Sequence, residues 1–383
     1  MSTENVKPLD SFTGVFKVLV AAGFFMKDEP KNRAKKIGYE IYRVIVLLII
    51  IVHNMIHIIF IAQVRLNLHN TDAVFDTLII EIPQLNLLVK SVTFYLQNSK
   101  IHKLNALLMD PIFAVNSEKD GEILLKSKKV TDRLYRYVIT NVLITSPMWV
   151  ALMFLKRYYD PTAIVYIYTP FEVNSWGSYT LSVVLEAGPL FWMGCGHLSL
   201  DCAVMLYFSQ VEVQLKIIKS NLEQLFDTDI ETVVDQYIDE IDQNVPKRFI
   251  HYLKRYENLL WYDFHKVNSI FNIPISVQFF TSMVATCATT YILSSVSCTC
   301  YIIILVFICC YFGNLVEFES VSSALYLSAW QGASPRFRRA LLVAMLCWSR
   351  PLTPTVSGII PLSLDTFVTW ATLSRTSSTG NCN

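Results

Sequence analysis

Two histidines and four charged residues stand inside stretches of the chain that are otherwise apolar. His53 and His57 are four residues apart in a run of Ile, Val and Leu, so on a helix they share one face. Such a pair could supply two ligands to one metal ion. A site needs further ligands, however, and no spacing in the sequence dictates one. Polar contact with a neighbouring helix is therefore the expected role, and no metal is expected. Glu81, Lys90, Glu186 and Asp201 lie in or near other apolar segments, where ionisable groups are costly and mark a cavity, an ion path or a paired contact. Lys90 is close enough to the end of its segment to reach out past it. Glu186 and Asp201 are the better candidates for function or for buried pairing.

Nothing in the chain has the form of a catalytic motif. There is no GxSxG, no HExxH, no P-loop and no Gly-rich dinucleotide turn, and the last apolar segment has no Lys that could hold a retinal. Neither an enzyme nor a cofactor is expected. The nine cysteines form no CxxC pair, and Cys195, Cys202, Cys287, Cys309 and Cys310 sit inside apolar runs. They read as small packing residues rather than a disulfide frame.

The elements that must hold these residues are membrane helices. The 383 residues are 53% hydrophobic and only 16% charged, against about 25% charged in an average soluble domain. The basic residues are not pooled on one domain, so the net charge of +1 gives no sign of nucleic acid. Met1 to Lys36 carries seven Lys and Arg without a sustained apolar core, which is not a secretory signal. Seven apolar segments can be drawn, at about 39–62, 75–96, 137–155, 178–207, 267–293, 297–318 and 359–373. With the amino terminus in the cytoplasm, the inward segments hold 27 of the 32 Lys and Arg, and only Arg65, Lys156, Arg157 and Arg375 fall outside. That bias is the expected one for cytoplasmic loops. It predicts a single-domain, all-α polytopic membrane protein with seven transmembrane helices, a cytoplasmic N-terminus and an outward C-terminus, the reverse of a G-protein-coupled receptor.

Two further patterns lie on the inward side. Val211, Leu215, Ile218, Leu222 and Leu225 step by four and three, as an amphipathic helix does. An acidic patch with seven Asp and Glu follows from Asp227 to Asp242, and Ile250, Leu253, Tyr256, Leu260 and Phe264 then resume the helical step. Ser322 to Trp348 interleaves Ala324, Leu327, Leu341, Val343, Ala344 and Leu346 with Arg336, Arg338 and Arg339, broken at Gly332 and Pro335. These extensions predict a cytoplasmic helical bundle that holds something together. On the other side, the outer halves of the spans are rich in aromatics, Met and small residues. Ser146, Met148, Trp149, Gly188, Phe191, Met283 and Tyr301 are the expected lining of an apolar pocket for a small ligand.

The carboxyl-terminal order of residues carries the strongest signal. Glu319 and Ser320, Ala324, Tyr326, Trp330, the Arg cluster, Leu341, Met345, Arg350-Pro351-Leu352, Gly358 and Pro361 to Phe367 resemble the signature of the insect odorant receptor family. The stretch from Phe249 through Phe271 to Gln278 and Phe279 is similar to the same family. The resemblance implies a ligand-gated cation channel in which a variable odorant-binding subunit joins a shared co-receptor (Orco) in a heterotetramer, in the cell membrane of an olfactory neuron dendrite. It implies a subunit anchor at Ala324, Tyr326, Trp330 and Met345, and a pore helix begun by Pro361, Leu362, Leu364 and Phe367. The longer loops and motifs peculiar to the co-receptor are absent, which implies a tuning subunit. After Phe367 the sequence departs from the family pattern. Ile359 to Leu373 would rise only about 22 Å as a helix, short of the hydrocarbon thickness. The expectation is that Val368 to Asn383 does not complete the pore, through a mis-spliced final exon or a natural truncation. The alternatives are a gustatory-type channel working without Orco, and a G-protein-coupled receptor or transporter.

Overall fold

A computed structural model describes residues 7–26, 32–68, 71–115, 117–163, 165, 169–227, 237–293, 321–349, 355–356 and 360–361. The described residues form a bundle of long helices. After a 3-10 turn at Pro8–Phe12, α1 spans Thr13–Ala21, α2 Arg33–Leu68 and α3 Thr71–Leu96. Then come α4 at Asn98–Leu108, α5 at Glu118–Tyr159 and α6 at Trp176–Glu223. The short α7 (Ile238–Ile241) leads into α8 (Asn244–Leu260), which runs through a π-helical stretch, Trp261–Val267, into α9 (Asn268–Leu293). α10 (Ser322–Leu327) and α11 (Pro335–Cys347) follow, separated by a 3-10 turn at Trp330–Gly332. Among the described residues, three helical stretches are long and apolar enough to cross a membrane: Arg33–Gln63, Glu118–Tyr159 and Trp176–Glu223. They contain the expected spans 39–62, 137–155 and 178–207, while α3 and α9 coincide with 75–96 and 267–293.

Local chemistry sets the ends of these helices. Ser117 caps α5 by accepting from the Asp120 amide at 3.1 Å. Glu118 and Asp120 occupy its first turn and Lys156 and Arg157 its last, so both ends oppose the helix dipole. Ser175 and Ser178 cap each other at the start of α6. Ser334 caps α11 ahead of Pro335, and its amide and hydroxyl both donate to Asp239 on α7, at 2.6 and 2.7 Å. The break expected at Gly332 and Pro335 is therefore a turn stapled to a neighbouring helix.

The core runs along α6. The stripe Val211, Leu215, Ile218, Leu222 and Leu225 is fully buried, as its spacing predicts. α8 is a helix over the expected step. Its buried face is Val245, Phe249, Tyr256 and Leu259, whereas Ile250 and Leu253 are exposed. The apolar pattern is broad enough for two faces, and the bundle covers only one of them. The N-terminal segment was not foreseen as core. Phe12, Val15, Phe16, Leu19, Phe24 and Phe25 are buried there, and α1 packs on α6. Its turn needs Gly23, which sits at φ +79°. Tyr39 and Tyr42 of α2 donate to the carbonyls of Val20, Phe25 and Ala21 at its end. At the C-terminal end, Ile360–Pro361 pairs antiparallel with Thr355–Val356. The helix expected over 359–373 thus does not include Ile360 and Pro361, because β-branched Thr355, Val356 and Ile360 favour extended backbone. The expected span 297–318, the remainder of 359–373 and the tail to Asn383 lie outside the described residues.

Candidate functional site

The polar residues foreseen inside apolar segments collect into two separate buried layers. α2, α3 and α6 form the first. His53 and His57 project from one face of α2 with their rings 4.7 Å apart. Gln84 of α3 holds His53, its Oε1 lying 2.8 Å from Nδ1. Glu186 of α6 reaches both rings: its Oε2 is 3.7 Å from His53 Nε2 and 3.2 Å from His57 Nε2. Glu81, one turn from Gln84 on α3, lies close enough to His57 and Glu186 to interact electrostatically with both. All five side chains are buried. Yet His53 Nε2, both nitrogens of His57 and all four oxygens of Glu81 and Glu186 have no hydrogen-bond partner among the described residues.

The second layer sits about 13 Å further along α3, where α3, α6 and α9 meet. Lys90 does not reach out past the end of its helix as expected. It is fully buried and donates to Asp201 of α6 and Gln278 of α9. A carboxylate inside the bundle gives its ammonium a nearer partner than water. His197 Nε2 lies 3.1 Å from the same ammonium and 3.5 Å from Asp201 Oδ2, and Asn86 donates to Gln278. The Asp201 expectation of buried pairing is met, with Lys90 as the partner. Gln84, Asn86 and Gln278 were not singled out in the sequence. Gln84 was findable, since it stands three residues from Glu81 and so shares its helix face.

A third polar cluster ties helices together at the end of the bundle that carries the N-terminus. Arg255 of α8 is fully buried, and its Nη2 donates to Gln214 of α6 at 2.7 Å. Asn221 of α6 donates to buried Asp120 of α5 at 2.8 Å. Beside this cluster an apolar surface is left open: Ile250 and Leu253 of α8, Tyr326 and Leu327 of α10, and Leu342, Val343 and Leu346 of α11 are all exposed. Of the expected anchor residues, Ala324 is buried, Tyr326 is exposed, and Trp330 and Met345 are partly buried against the core.

Of the expected ligand residues, five lie on described stretches of α5 and α6. Ser146 and Trp149 of α5 are half-buried, while Met148 on α5 and Gly188 and Phe191 on α6 are exposed. Met283 lies on α9 at a position whose side chain is outside the description, and Tyr301 lies outside the described residues. Pro361 is the only expected pore residue within the description, and it is on the short strand. Leu362, Leu364 and Phe367 lie outside it.

Comparison with known proteins adds the family. The model of the 7tm odorant receptor family matches residues 70–374. No curated protein matches the chain in sequence. Among solved structures, the chain is similar to the insect olfactory receptor OR5 of Machilis hrabei, with a TM-score of 0.72, 16% identity and 96% of each chain covered. The same receptor in complex with eugenol aligns with a TM-score of 0.74 at 17% identity, again over 96% of both chains. At that identity the likeness establishes the fold.

Proposed function

The chain belongs to the seven-transmembrane odorant receptor family, and from that premise we propose that it is a tuning subunit. It binds a small volatile apolar ligand and gates a cation conductance with the family's co-receptor (Orco) in a heterotetramer of the cell membrane, with its N-terminus in the cytoplasm. The family match over residues 70–374 is the observation that carries this reading. The similar Machilis receptor binds eugenol, a small volatile aromatic, which supports a ligand of that kind here. The open apolar faces of α8, α10 and α11 support assembly, since a monomer gains nothing from leaving Leu327, Val343 and Leu346 in water.

The ligand contacts Ser146, Met148, Trp149, Gly188, Phe191, Met283 and Tyr301. Ala324, Tyr326, Trp330 and Met345 belong to the anchor between subunits, and Pro361, Leu362, Leu364 and Phe367 to the pore. An odorant opens the channel by binding the open arrangement more tightly than the closed one. The test is odorant-evoked current in cells with and without the co-receptor. Current only with the co-receptor supports the tuning-subunit reading; current without it indicates a self-sufficient channel; G-protein signalling without current overturns both. Trp149→Ala and Tyr301→Ala should shift the dose–response curve at unchanged surface expression. If no alanine variant among the seven ligand residues moves it, the pocket lies elsewhere.

A further inference from the structure

We infer that His53, His57 and Glu186, with Glu81 beside them, form a binding site for a divalent transition-metal ion of the zinc class. The ligand atoms of His53, His57 and Glu186 all lie within 4.8 Å of one another and all three residues are buried. The atoms of a tetrahedral zinc site stand about 3.3 Å apart, so rotations moving each by about 1 Å would close the cage. Imidazole nitrogen with carboxylate oxygen is the donor set that zinc accepts.

Three observations favour a metal ion over a simple polar contact. The first is the orphaned atoms: seven nitrogen and oxygen atoms of these four side chains are buried without a hydrogen-bond partner among the described residues. Groups so placed cost far more than groups with a partner. The second is charge. Two carboxylates and two neutral imidazoles sum to −2, which one divalent cation cancels, whereas a single shared proton leaves a buried anion. The third is orientation. Gln84 Oε1 accepts from His53 Nδ1, fixing the tautomer that leaves Nε2 free to face Glu186; a metal-bound histidine is held by such an outer contact.

The sequence alone offered two ligands on α2. The third comes from α6, so an ion here would clip α2 to α6, with Glu81 of α3 beside it.

The test uses the full chain in detergent or nanodiscs, purified without a histidine tag and stripped with a chelator. Co2+ should give the visible d–d bands of a low-coordinate nitrogen and oxygen site, saturating at one ion per chain and bleached by Zn2+. His57→Ala and Glu186→Gln should weaken binding at least ~100-fold, since each removes a direct ligand. Gln84→Ala keeps every ligand and should weaken it by about 10- to 100-fold as an outer contact. Zn2+ should raise the melting midpoint of the wild type and not that of His57→Ala. Absence of a saturable band in the wild type overturns the inference and leaves a proton-sharing cluster. So does Co2+ binding of equal strength in Gln84→Ala and Glu186→Gln, both read on folded chain by the midpoint.

Discussion

The two buried polar layers use similar residues to opposite ends. Around Lys90 a cation, a carboxylate and two side-chain amides meet, so the charges cancel and Lys90 has acceptors on two other helices. Around Glu186 two carboxylates and two imidazoles meet with no cation among the described residues. Both layers join α3 to α6, and both lie where water does not reach. The difference is the missing positive charge. A layer that closes on itself reads as a fastener; a layer short of two positive charges reads as a receptacle.

The largest expected effect comes from breaking the closed layer. Lys90→Met leaves Asp201 buried without its cation, which should cost about 3–5 kcal/mol. Little monodisperse protein should then survive size exclusion at room temperature. The double variant Lys90→Met with Asp201→Leu removes both charges and should recover much of that loss. If Lys90→Met alone melts like the wild type, the layer is not the fastener described.

A second perturbation acts on packing near one layer only. Gly196 stands beside His197 on α6, and a Cβ there would meet the Phe24 ring at 1.9 Å. Gly196→Ala should push the N-terminal segment off α6 and cost about 1–3 kcal/mol as overpacking. Glu186 is ten residues away along the helix, roughly 15 Å, so Co2+ binding should persist in the folded fraction. Loss of both together would mean the two layers are one unit.

The third effect has the opposite sign. Without metal, Glu186→Gln removes one of two facing carboxylates and should leave the melting midpoint unchanged or raise it, by up to about 1 kcal/mol. Asp201→Asn, a chemically identical change in the closed layer, should lower it. Matching losses in both variants would erase the contrast.

How far these layers could be read from the sequence follows from what periodicity carries. His53 and His57 on one face, the α6 stripe and the break at Pro335 are local features, and the structure has them. Partners are not local. Nothing in the spacing of α2 selects Glu186 on α6, and nothing near Lys90 announces Asp201, 111 residues on. The covered face of α8 was not legible for a related reason: its apolar residues fill two faces, and only the packed bundle decides which is covered. The family was legible because its signature is an ordered set of residue types, which survives where pairwise contacts leave no trace. Phe12, Val15, Phe16 and Leu19 carry a helical period that was open to view among the seven Lys and Arg of Met1 to Lys36.

The smallest expected effect lies outside both layers and serves as their control. His251, half-buried on α8, has its pKa held below the usual 6.5, first by burial and then by the Arg255 charge. The folded chain therefore binds this proton less readily than the unfolded one. Its contribution to stability is complete above the unfolded pKa and is lost as pH falls through the folded one. His251→Gln should flatten a slight fall in melting midpoint seen below about pH 6.5, with no change at pH 8. A slope that survives the substitution must come from another group.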